Sequence, residues 1–175
     1  MAAHKILLAG FGGQGIILIG QMLAYAAMMD DKEVTFLPSY GPEMRGGTAN
    51  CTVIISDAPI SCPIIDKATC LVAMNQPSLT KYEEMVEAGG TIFENVSLVK
   101  KGTERKDLTT HAVDAGEVAI SLGNEKMANI VMLGALVRTM GFVSEENMIK
   151  VLEKTFSGRK AHLLEKNLVA FCAFK

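Results

Sequence analysis

Ala9-Gly10-Phe11-Gly12-Gly13-Gln14-Gly15 is the stretch of sequence that decides the fold. It follows an apolar run at residues 5–9, which predicts a buried strand, and it precedes the apolar segment Ile16–Met29, which predicts a helix. The glycines at 10, 12 and 15 have the G-x-G-x-x-G spacing of the turn that opens a dinucleotide-binding fold. Strand, glycines and helix therefore occur in the order that a Rossmann-like domain requires.

Each glycine of this loop has an expected task. Gly10 allows a tight turn, Gly12 lets a ligand or a second backbone approach, and Gly15 lets the start of the helix pack on the strand. The bare amides at the helix start favour negative charge, for which phosphate is the usual ligand. The alternative is a tight strand-to-helix turn with nothing bound, and the loop alone does not decide between the two.

Composition indicates a globular chain with apolar surface to spare. The 175 residues, of which 49% are hydrophobic and 11 are Met, predict a single domain over residues 1–175 with a large core. The mean hydropathy of +0.27 is high for such a domain. We therefore expect part of the apolar surface to be covered by a partner, with Met as adaptable packing material.

Charge and cysteine usage exclude several classes of protein. The net charge of −2 includes no basic stripe, so we expect no nucleic-acid partner. Residues 16–29 are too few to span a bilayer and lack the pattern of a signal peptide, so we expect a cytoplasmic protein without membrane contact. The cysteines and histidines have no metal-ligand spacing, which predicts no metal site. They are Cys51, Cys62, Cys70, Cys172, His4, His111 and His162.

The second predicted strand argues against a nicotinamide cofactor. In such domains an acidic residue at the carboxyl end of this strand holds the ribose hydroxyls. Here residues 34–37 run into Pro38, whereas Asp30, Asp31 and Glu33 lie at the beginning of the strand. A stand-alone NAD(P)-binding Rossmann oxidoreductase is nevertheless kept as the alternative function, because the glycine loop suits both.

A second glycine-bounded loop follows, Ser39-Tyr40-Gly41-Pro42-Glu43-Met44-Arg45-Gly46-Gly47. An aromatic ring, a carboxylate, a thioether and a guanidinium between turn-forming residues suit recognition of an anion or of another protein. We expect the two loops to form one crevice at the carboxyl edge of the sheet, where open α/β sheets bind ligands. A solvated surface loop is the alternative.

The rest of the chain alternates strands with helices. Strands are predicted at residues 48–56, 71–74, 91–94 and 109–113, with a short return strand at 60–63; helices are predicted at 77–87, 115–122, 124–140, 145 onward and 160–173. Gly89 and Gly90 are expected to end the 77–87 helix, and Ser144 to cap the helix that follows it. The predicted fold is a Rossmann-like three-layer α/β/α sandwich with a mostly parallel sheet and a short antiparallel excursion around 48–63.

Two predicted helices are unusually apolar. Ile16–Met29 is apolar on nearly every side, and so is 124–140, where Gly134 favours close packing of a second helix. One small domain does not obviously cover both helices. We therefore expect the isolated chain to form a homodimer.

Taken together, the two loops resemble the gamma subunits of 2-oxoacid:ferredoxin (acceptor) oxidoreductases. The resemblance extends to Asn-Ile-Val-Met-Leu-Gly-Ala at 129–135 and to Asn-Leu-Val-Ala-Phe at 167–171, so it covers nearly the whole chain. It implies a larger enzyme that decarboxylates a 2-oxoacid on thiamine diphosphate, passes electrons through iron–sulfur clusters to ferredoxin or another acceptor, and delivers the acyl group to coenzyme A.

The resemblance also implies how the work is divided among subunits. Thiamine-binding alpha and beta subunits and a ferredoxin-like delta subunit would hold the thiamine diphosphate, its Mg²⁺ and the clusters, which agrees with the lack of such motifs here. The gamma chain would have no catalytic residue and no activity alone, but would assist assembly and contribute to the coenzyme A site, with 2-oxoglutarate as the first-guess substrate. By motif, the cofactor-binding residues would be Gly10, Gly12, Gly13, Gln14, Gly15, Tyr40, Glu43, Arg45, Gly46 and Gly47.

Overall fold

A computed structural model describes residues 3–40 and 47–174, with the side chain of Tyr40 left out. A six-stranded sheet in the order β2-β3-β1-β4-β5-β6 forms its centre. The strands are β1 (His4–Phe11), β2 (Glu33–Tyr40), β3 (Thr48–Ser56), β4 (Ala68–Ala73), β5 (Val86–Asn95) and β6 (Thr109–Val113). The helices are α1 (Ile16–Met29), α2 (Gln76–Tyr82), α3 (Ala115–Ser121), α4 (Ala128–Met140), α5 (Glu145–Thr155) and α6 (Leu164–Cys172).

The sheet is parallel except at one strand. β3 lies between β1 and β2 and is antiparallel to both, whereas β1, β4, β5 and β6 pair in parallel. All strands but β3 therefore end at the same edge of the sheet, which we call the carboxyl edge. The chain leaves β1 for α1 and leaves β4 for α2, which pack on opposite faces. A crevice between neighbouring strand ends is the usual ligand position in such sheets.

The two faces of the sheet are covered unequally. Alternate residues such as Ile6, Leu8 and Val72 point to one face, where α1 and α3 to α6 form the main core with them. The residues between them, such as Leu7 and Leu71, pack on the other face against α2 and neighbouring loops. The helices thus form a thick layer on one face and a thin layer on the other, which is an asymmetric version of the predicted three-layer sandwich.

The close contact predicted at Gly134 is confirmed. A Cβ atom at this position would lie 1.9 Å from the carbonyl oxygen of Phe171, so the backbones of α4 and α6 approach each other directly. Asn129 to Val137 of α4 are all buried by this contact, by α3 and by the sheet. The expectation that α4 leaves an apolar surface for a partner is therefore wrong, because the domain itself covers the helix.

Helix α1 was expected to be buried on every side, and this is true over most of its length. The sheet lies beneath it, and α4 and α5 pack against it from above. Its carboxyl end differs, since Tyr25, Met28 and Met29 are exposed. On α1, these three large apolar side chains are the exposed ones.

Most predicted elements are confirmed, and the differences concern loops and ends. The 48–56 strand is β3 and accounts for the antiparallel excursion, but residues 60–63 form no return strand and lie in an irregular segment. Gly89 and Gly90 do not end a helix: α2 ends at Tyr82, a 3₁₀ turn follows, and both glycines belong to β5. Gly89 has a positive φ of 81° there. Glycine is needed for this conformation within the strand, and the same residue type was interpreted as the end of a helix.

The start of α5 agrees with the capping residue in the sequence, whereas two other helices start later than predicted. Ser144 caps α5 by accepting a hydrogen bond from the amide of Asn147, as predicted. The 124–140 and 160–173 segments each begin with a 3₁₀ turn before the α-helix starts. No helix among residues 3–40 and 47–174 has the length and apolarity to cross a membrane.

Candidate functional site

The glycine loop is held in shape by the side chain of Gln14. Its Oε1 atom accepts hydrogen bonds from the backbone amide of Phe11, at 2.7 Å, and from Nδ2 of Asn75, at 2.8 Å. A Cβ atom on Gly10 would lie 2.7 Å from this same oxygen, so Gly10 leaves the space that Gln14 fills. The acceptor oxygen of Gln14 thus joins the loop after β1 to the start of α2, and the predicted role of Gln14 in binding a cofactor stays a prediction.

Gly15 has a different role from the one predicted. It lies in the left-handed region, with φ of 71°, and forms the N-cap of α1. A Cβ atom there would lie 2.2 Å from Nδ2 of Asn129, which donates to the Gly15 carbonyl at 3.4 Å. The sequence predicted that Gly15 lets the start of the helix pack on the strand. In the structure Gly15 instead permits contact between the loop and α4.

The structure brings the ends of the two predicted loops together. The amide of Gly12 donates to the carbonyl of Gly47 at 2.8 Å, and Phe11 is paired with Thr48 across the β1–β3 ladder. The backbone of Tyr40 lies next to Ala49 on the same edge. Residues 41–46, which include the predicted site residues Glu43, Arg45 and Gly46, lie outside the described residues.

A cleft of about 480 Å³ opens beside the glycine loop, and we call it the edge cleft. Its walls come from the ends of β1, β4 and β5 and from the amino-terminal regions of α3 and α4. The lining residues are Gly13, Gln14, Met74, Asn95, Ser97, Leu98, Gly116, Glu117, Ile120, Glu125, Lys126, Ala128 and Asn129. Its position between the loops that leave β1 and β4 for opposite faces is where open α/β sheets bind ligands.

The edge cleft combines apolar walls with a few polar groups. Leu98 and Ile120 are 49% and 56% exposed, which is unusual for large apolar side chains and marks them as uncovered contact surface. Asn95 is buried; its Nδ2 donates to the carbonyl of Met74 at 3.2 Å, and its Oδ1 has no hydrogen-bond partner among the described residues. Apolar walls with a small number of placed polar groups are typical of ligand sites.

Electrostatics at the glycine loop favour an anion. The first turn of α1 contains no acidic residue, and its N-cap Gly15 provides no side chain to occupy the amides. A helix start in this state attracts negative charge. The neighbouring short helix α3 differs, because Ser97 Oγ already accepts the amide of Gly116 at 2.8 Å and donates to Asp114.

The buried cysteines are not candidates for nucleophilic chemistry. Burial raises the pKa of Cys51 to about 12, and its thiol donates to the carbonyl of Ile16. Burial likewise raises the pKa of Cys70. Because the thiolate is the reactive form, both groups are inert at neutral pH. Residues 3–40 and 47–174 also contain no cluster of three or more His, Cys, Asp or Glu that would hold a metal ion.

The acidic residue Asp30, near the start of β2, is engaged away from the carboxyl edge. Asp30 follows α1 and accepts hydrogen bonds from the amide and hydroxyl of Ser144, at 2.6 and 2.7 Å, and from Asn147 Nδ2 at 2.7 Å. Burial disfavours its charged form, but the bonds from Ser144 and Asn147 outweigh burial, and the pKa of Asp30 is lowered. This carboxylate links α1 to α5 and is not placed for a ribose.

Sequence reasoning missed the asparagines around the site. Asn75 and Asn95 directly follow or end parallel strands, so a search of strand carboxyl ends would have found them. Asn129 lies at the start of α4, 114 positions from Gly15 in the chain, and no sequence signal predicts that contact. The glycine loop is thus supported by side chains from two other segments, through Asn75 and Asn129.

Comparison of the chain with known proteins identifies its family. The model of the pyruvate ferredoxin/flavodoxin oxidoreductase family matches residues 5–173. The chain belongs to this family. The 2-oxoglutarate synthase subunit KorC of Methanocaldococcus jannaschii is 40% identical over 171 residues, which are 95% of this chain and 89% of that protein.

Solved structures of the family superpose on the whole chain. The gamma subunit of a keto/oxoacid ferredoxin oxidoreductase from Geobacter sulfurreducens matches with a TM-score of 0.81 at 34% identity, covering 97% of this chain and 94% of that one. The 2-oxoglutarate:ferredoxin oxidoreductase of Magnetococcus marinus, with 2-oxoglutarate, coenzyme A and succinyl-CoA bound, matches with a TM-score of 0.92 at 24% identity. There the chain covers only 30% of a longer polypeptide.

These relationships confirm the resemblance seen in the two loops and the predicted class of fold. The chain is a gamma subunit of a 2-oxoacid:ferredoxin oxidoreductase and so part of a multi-subunit oxidoreductase. The alternative, a stand-alone NAD(P)-dependent oxidoreductase, finds no support among them.

Proposed function

We propose that this gamma subunit contributes the coenzyme A-binding edge of an enzyme that converts a 2-oxoacid and coenzyme A to an acyl-CoA and CO₂ with reduction of ferredoxin or another acceptor. The single observation that carries the proposal is the edge cleft beside the uncapped start of α1. The related enzyme of Magnetococcus marinus, whose structure contains bound coenzyme A, adds support.

The chemistry of coenzyme A fits the two parts of this edge. Its phosphates suit Gly10, Gly12, Gly13, Gln14 and Gly15 at the start of α1, where amides and the helix dipole favour negative charge. Its pantetheine arm, with methyl groups and amides, suits the apolar walls and asparagines of the edge cleft. Coenzyme A brings the thiol that accepts the acyl group, and this chain's residues bind and orient it.

The second loop would complete the site. Within Tyr40 to Gly47, Arg45 offers a forked donor set for phosphate or carboxylate, and Glu43 would orient Arg45 or meet a cation across the interface. Gly46 and Gly47 would allow close approach of backbone. If Arg45 and Glu43 only paired on the surface, the pair would stabilise the fold by less than about 1 kcal/mol.

The remaining assignments concern the assembled enzyme. Thiamine-binding alpha and beta subunits and a ferredoxin-like delta subunit would hold thiamine diphosphate, Mg²⁺ and the iron–sulfur clusters, in the cytoplasm. 2-Oxoglutarate is the proposed substrate, in line with the name of the 40% identical relative. The gamma chain alone is proposed to be inactive and to form a homodimer, which sedimentation at several concentrations tests; a monomer throughout would contradict the homodimer.

The coenzyme A site is tested in the reconstituted complex with a matched pair of variants. Ile120→Glu places a carboxylate in the edge cleft, whereas Val169→Glu makes the same kind of change on α6 at a residue of similar exposure, 50% against 56%. We expect Ile120→Glu to raise the KM for coenzyme A at least tenfold, because the carboxylate repels the anionic ligand and interrupts the apolar wall. An unchanged KM in both variants would contradict the proposed site.

Two loop variants extend the test. Arg45→Ala should raise the KM for coenzyme A while the melting temperature of the subunit stays the same, and Arg159→Ala, an exposed arginine that does not line the cleft, is its control. Gly12→Val should close the approach to the loop. Its result counts only if circular dichroism shows that the fold survives, because Gly12 also bonds to Gly47.

A further inference from the structure

The uncovered end of α1 is an apolar surface with helical spacing. Tyr25, Met28 and Met29 are 51%, 59% and 46% exposed, and their i, i+3, i+4 positions place them on one face of the helix. The glycine loop lies at the other end of α1, about 20 Å away by the helical rise. This surface is therefore separate from the edge cleft and is not used by the function proposed above.

A groove runs along this surface between α1 and α5, and we call it the α1–α5 groove. It has a volume of about 600 Å³. Its lining residues are Tyr25, Met28, Met29, Lys150, Val151, Lys154 and Thr155. Tyr and Met are typical of the centres of protein interfaces, because Tyr offers a large rigid contact and Met adapts to its partner. The dimensions suit one turn or two of a helix laid between the two helices.

The walls of the groove are fixed in place without a partner. Asn147 Nδ2 donates to the carbonyl of Met29 at 3.1 Å and to Asp30, which also bonds to Ser144. The end of α1 is thereby tied to the first turn of α5. A preformed groove costs a partner little ordering free energy in this chain.

Charge selects the kind of partner. The charged residues lining the groove are Lys150 and Lys154, one turn apart on α5, and no carboxylate from residues 3–40 or 47–174 lines it. Lys150 also bonds to Glu146, which lies outside the lining. The same groove on a second copy of this chain would bring only further lysines to a twofold interface, so it offers no charge complement to Lys150 and Lys154. An acidic surface with apolar side chains would complement the groove.

We propose that the α1–α5 groove is the docking site for an acidic amphipathic helix of another subunit of the enzyme. Apolar side chains of that helix pack on Tyr25, Met28 and Met29, and its carboxylates pair with Lys150 and Lys154. The proposal rests on the chain working in a multi-subunit complex, but not on the coenzyme A site.

The test measures binding of the full chain to the subcomplex of the other subunits of the same enzyme. Tyr25→Ser combined with Met28→Ser should weaken binding at least tenfold, because exposed aromatic anchors dominate interfaces. Ile64→Ser combined with Val169→Ser is the control, since these apolar residues are 69% and 50% exposed elsewhere on the chain and should leave binding unchanged.

Salt dependence tests the charge of the partner. Binding of the wild type should weaken as salt rises, and Lys150→Gln combined with Lys154→Gln should flatten this dependence. A photocrosslinker at Met28 in the assembled complex should link to an acidic helix of another subunit. Crosslinking to a second copy of this chain, or to a basic or uncharged segment, would overturn the proposal.

The outcomes separate this proposal from the function. If the wild type joins the other subunits and the Tyr25 and Met28 double variant joins equally well, the docking site is wrong and the coenzyme A assignment stands. If the wild type fails to join the other subunits at all, the docking site is wrong, whereas the coenzyme A site is judged by the KM measurements alone. A raised KM for coenzyme A in Ile120→Glu with unchanged assembly would concern only the edge cleft.

Discussion

Helices α1 and α4 have similar apolar sequences but differ in how completely the rest of the domain buries them. Both are long and apolar on nearly every side. In α4 every residue from Asn129 to Val137 is buried, because α6 approaches within backbone contact at Gly134. In α1 the last turns are buried on the face toward the core, and Tyr25, Met28 and Met29 on the other face are exposed.

The difference teaches that apolarity alone does not distinguish a core helix from an interface helix. What distinguishes them is the extent of the layer packed above, which depends on distant segments. α4 is covered by α3 and α6, whereas α5 packs on α1 and is tied to its end by hydrogen bonds among Asp30, Ser144 and Asn147.

The largest expected difference is between two methionines. Met132 of α4 is fully buried and Met28 of α1 is 59% exposed. Met132→Ala should lower the free energy of unfolding by about 2–5 kcal/mol, because it leaves a cavity, whereas Met28→Ala should change it by less than about 0.5 kcal/mol. Urea denaturation of both variants checks this. Equal losses would mean that the end of α1 is as buried as α4.

Glycines sharpen the comparison. At Gly134 of α4 an added Cβ meets a backbone carbonyl at 1.9 Å, while at Gly20 of α1 it meets the Cys51 sulfur at 2.4 Å. Gly134→Ala should cost about 3 kcal/mol, since backbone must move. Gly20→Ala should cost about 1 kcal/mol or less, because a side chain can rotate and alanine favours the helix. The contact between α4 and α6 would be disproved if Gly134→Ala were the milder change.

The link from α1 to α5 should depend on pH. The pKa of Asp30 is lowered in the folded state, so its stabilising effect is present above the ordinary Asp pKa of about 4 and is lost as pH falls through the lower folded value. Asp30→Asn should cost about 1 kcal/mol at pH 7 and progressively less as the pH falls below the ordinary Asp pKa of about 4. The other carboxylates are the same in both proteins, so the difference between two urea titrations isolates Asp30. A constant difference across pH would refute the assignment.

The smallest effects concern how the two helices end. α4 ends on Gly141 with φ of 66°, whereas the residue after the cap of α1 is Asp31 with φ of 56°. Gly141→Ala should cost about 1 kcal/mol, because a side chain strains the left-handed conformation. Asp31→Gly should gain about 0.5 kcal/mol or be neutral, since the relief of strain is offset by a freer unfolded chain. Melting temperatures measured by calorimetry check both, and destabilisation by Asp31→Gly would contradict the strained ending of α1.

Most of the fold could be predicted from local sequence patterns. The limits of α1, β3 and β6 and the caps at Ser144 and Gly141 follow from apolar runs and capping residues, which act within a few positions of the chain. The errors arose where one signal has two causes. Gly89 and Gly90 were interpreted as the end of a helix, but a glycine pair is also compatible with the start of a strand, where the structure has them. A short return strand was predicted at 60–63, where the structure has an irregular segment.

At the site, the sequence by itself determined the glycine loop, its position between a strand and a helix, and the second loop, because close backbone approach requires glycine in any context. The family follows from the same residues. Only the tertiary structure decided which groups surround the loop. Asn129 reaches Gly15 across 114 positions, and the edge cleft exists because α3 and α4 start beside the ends of β4 and β5.

The same division holds for the two apolar helices. Their composition determined that both must be covered, because exposed apolar area is costly in water. It did not determine which segment of this chain, or which other chain, covers each helix. The domain itself covers α4, since a glycine lets α6 approach its backbone. It leaves Tyr25, Met28 and Met29 at the end of α1 open, beside Lys150 and Lys154 of α5. Burial depends on the positions of segments far apart in the chain, and these positions are fixed only when the whole sheet and its helices have packed.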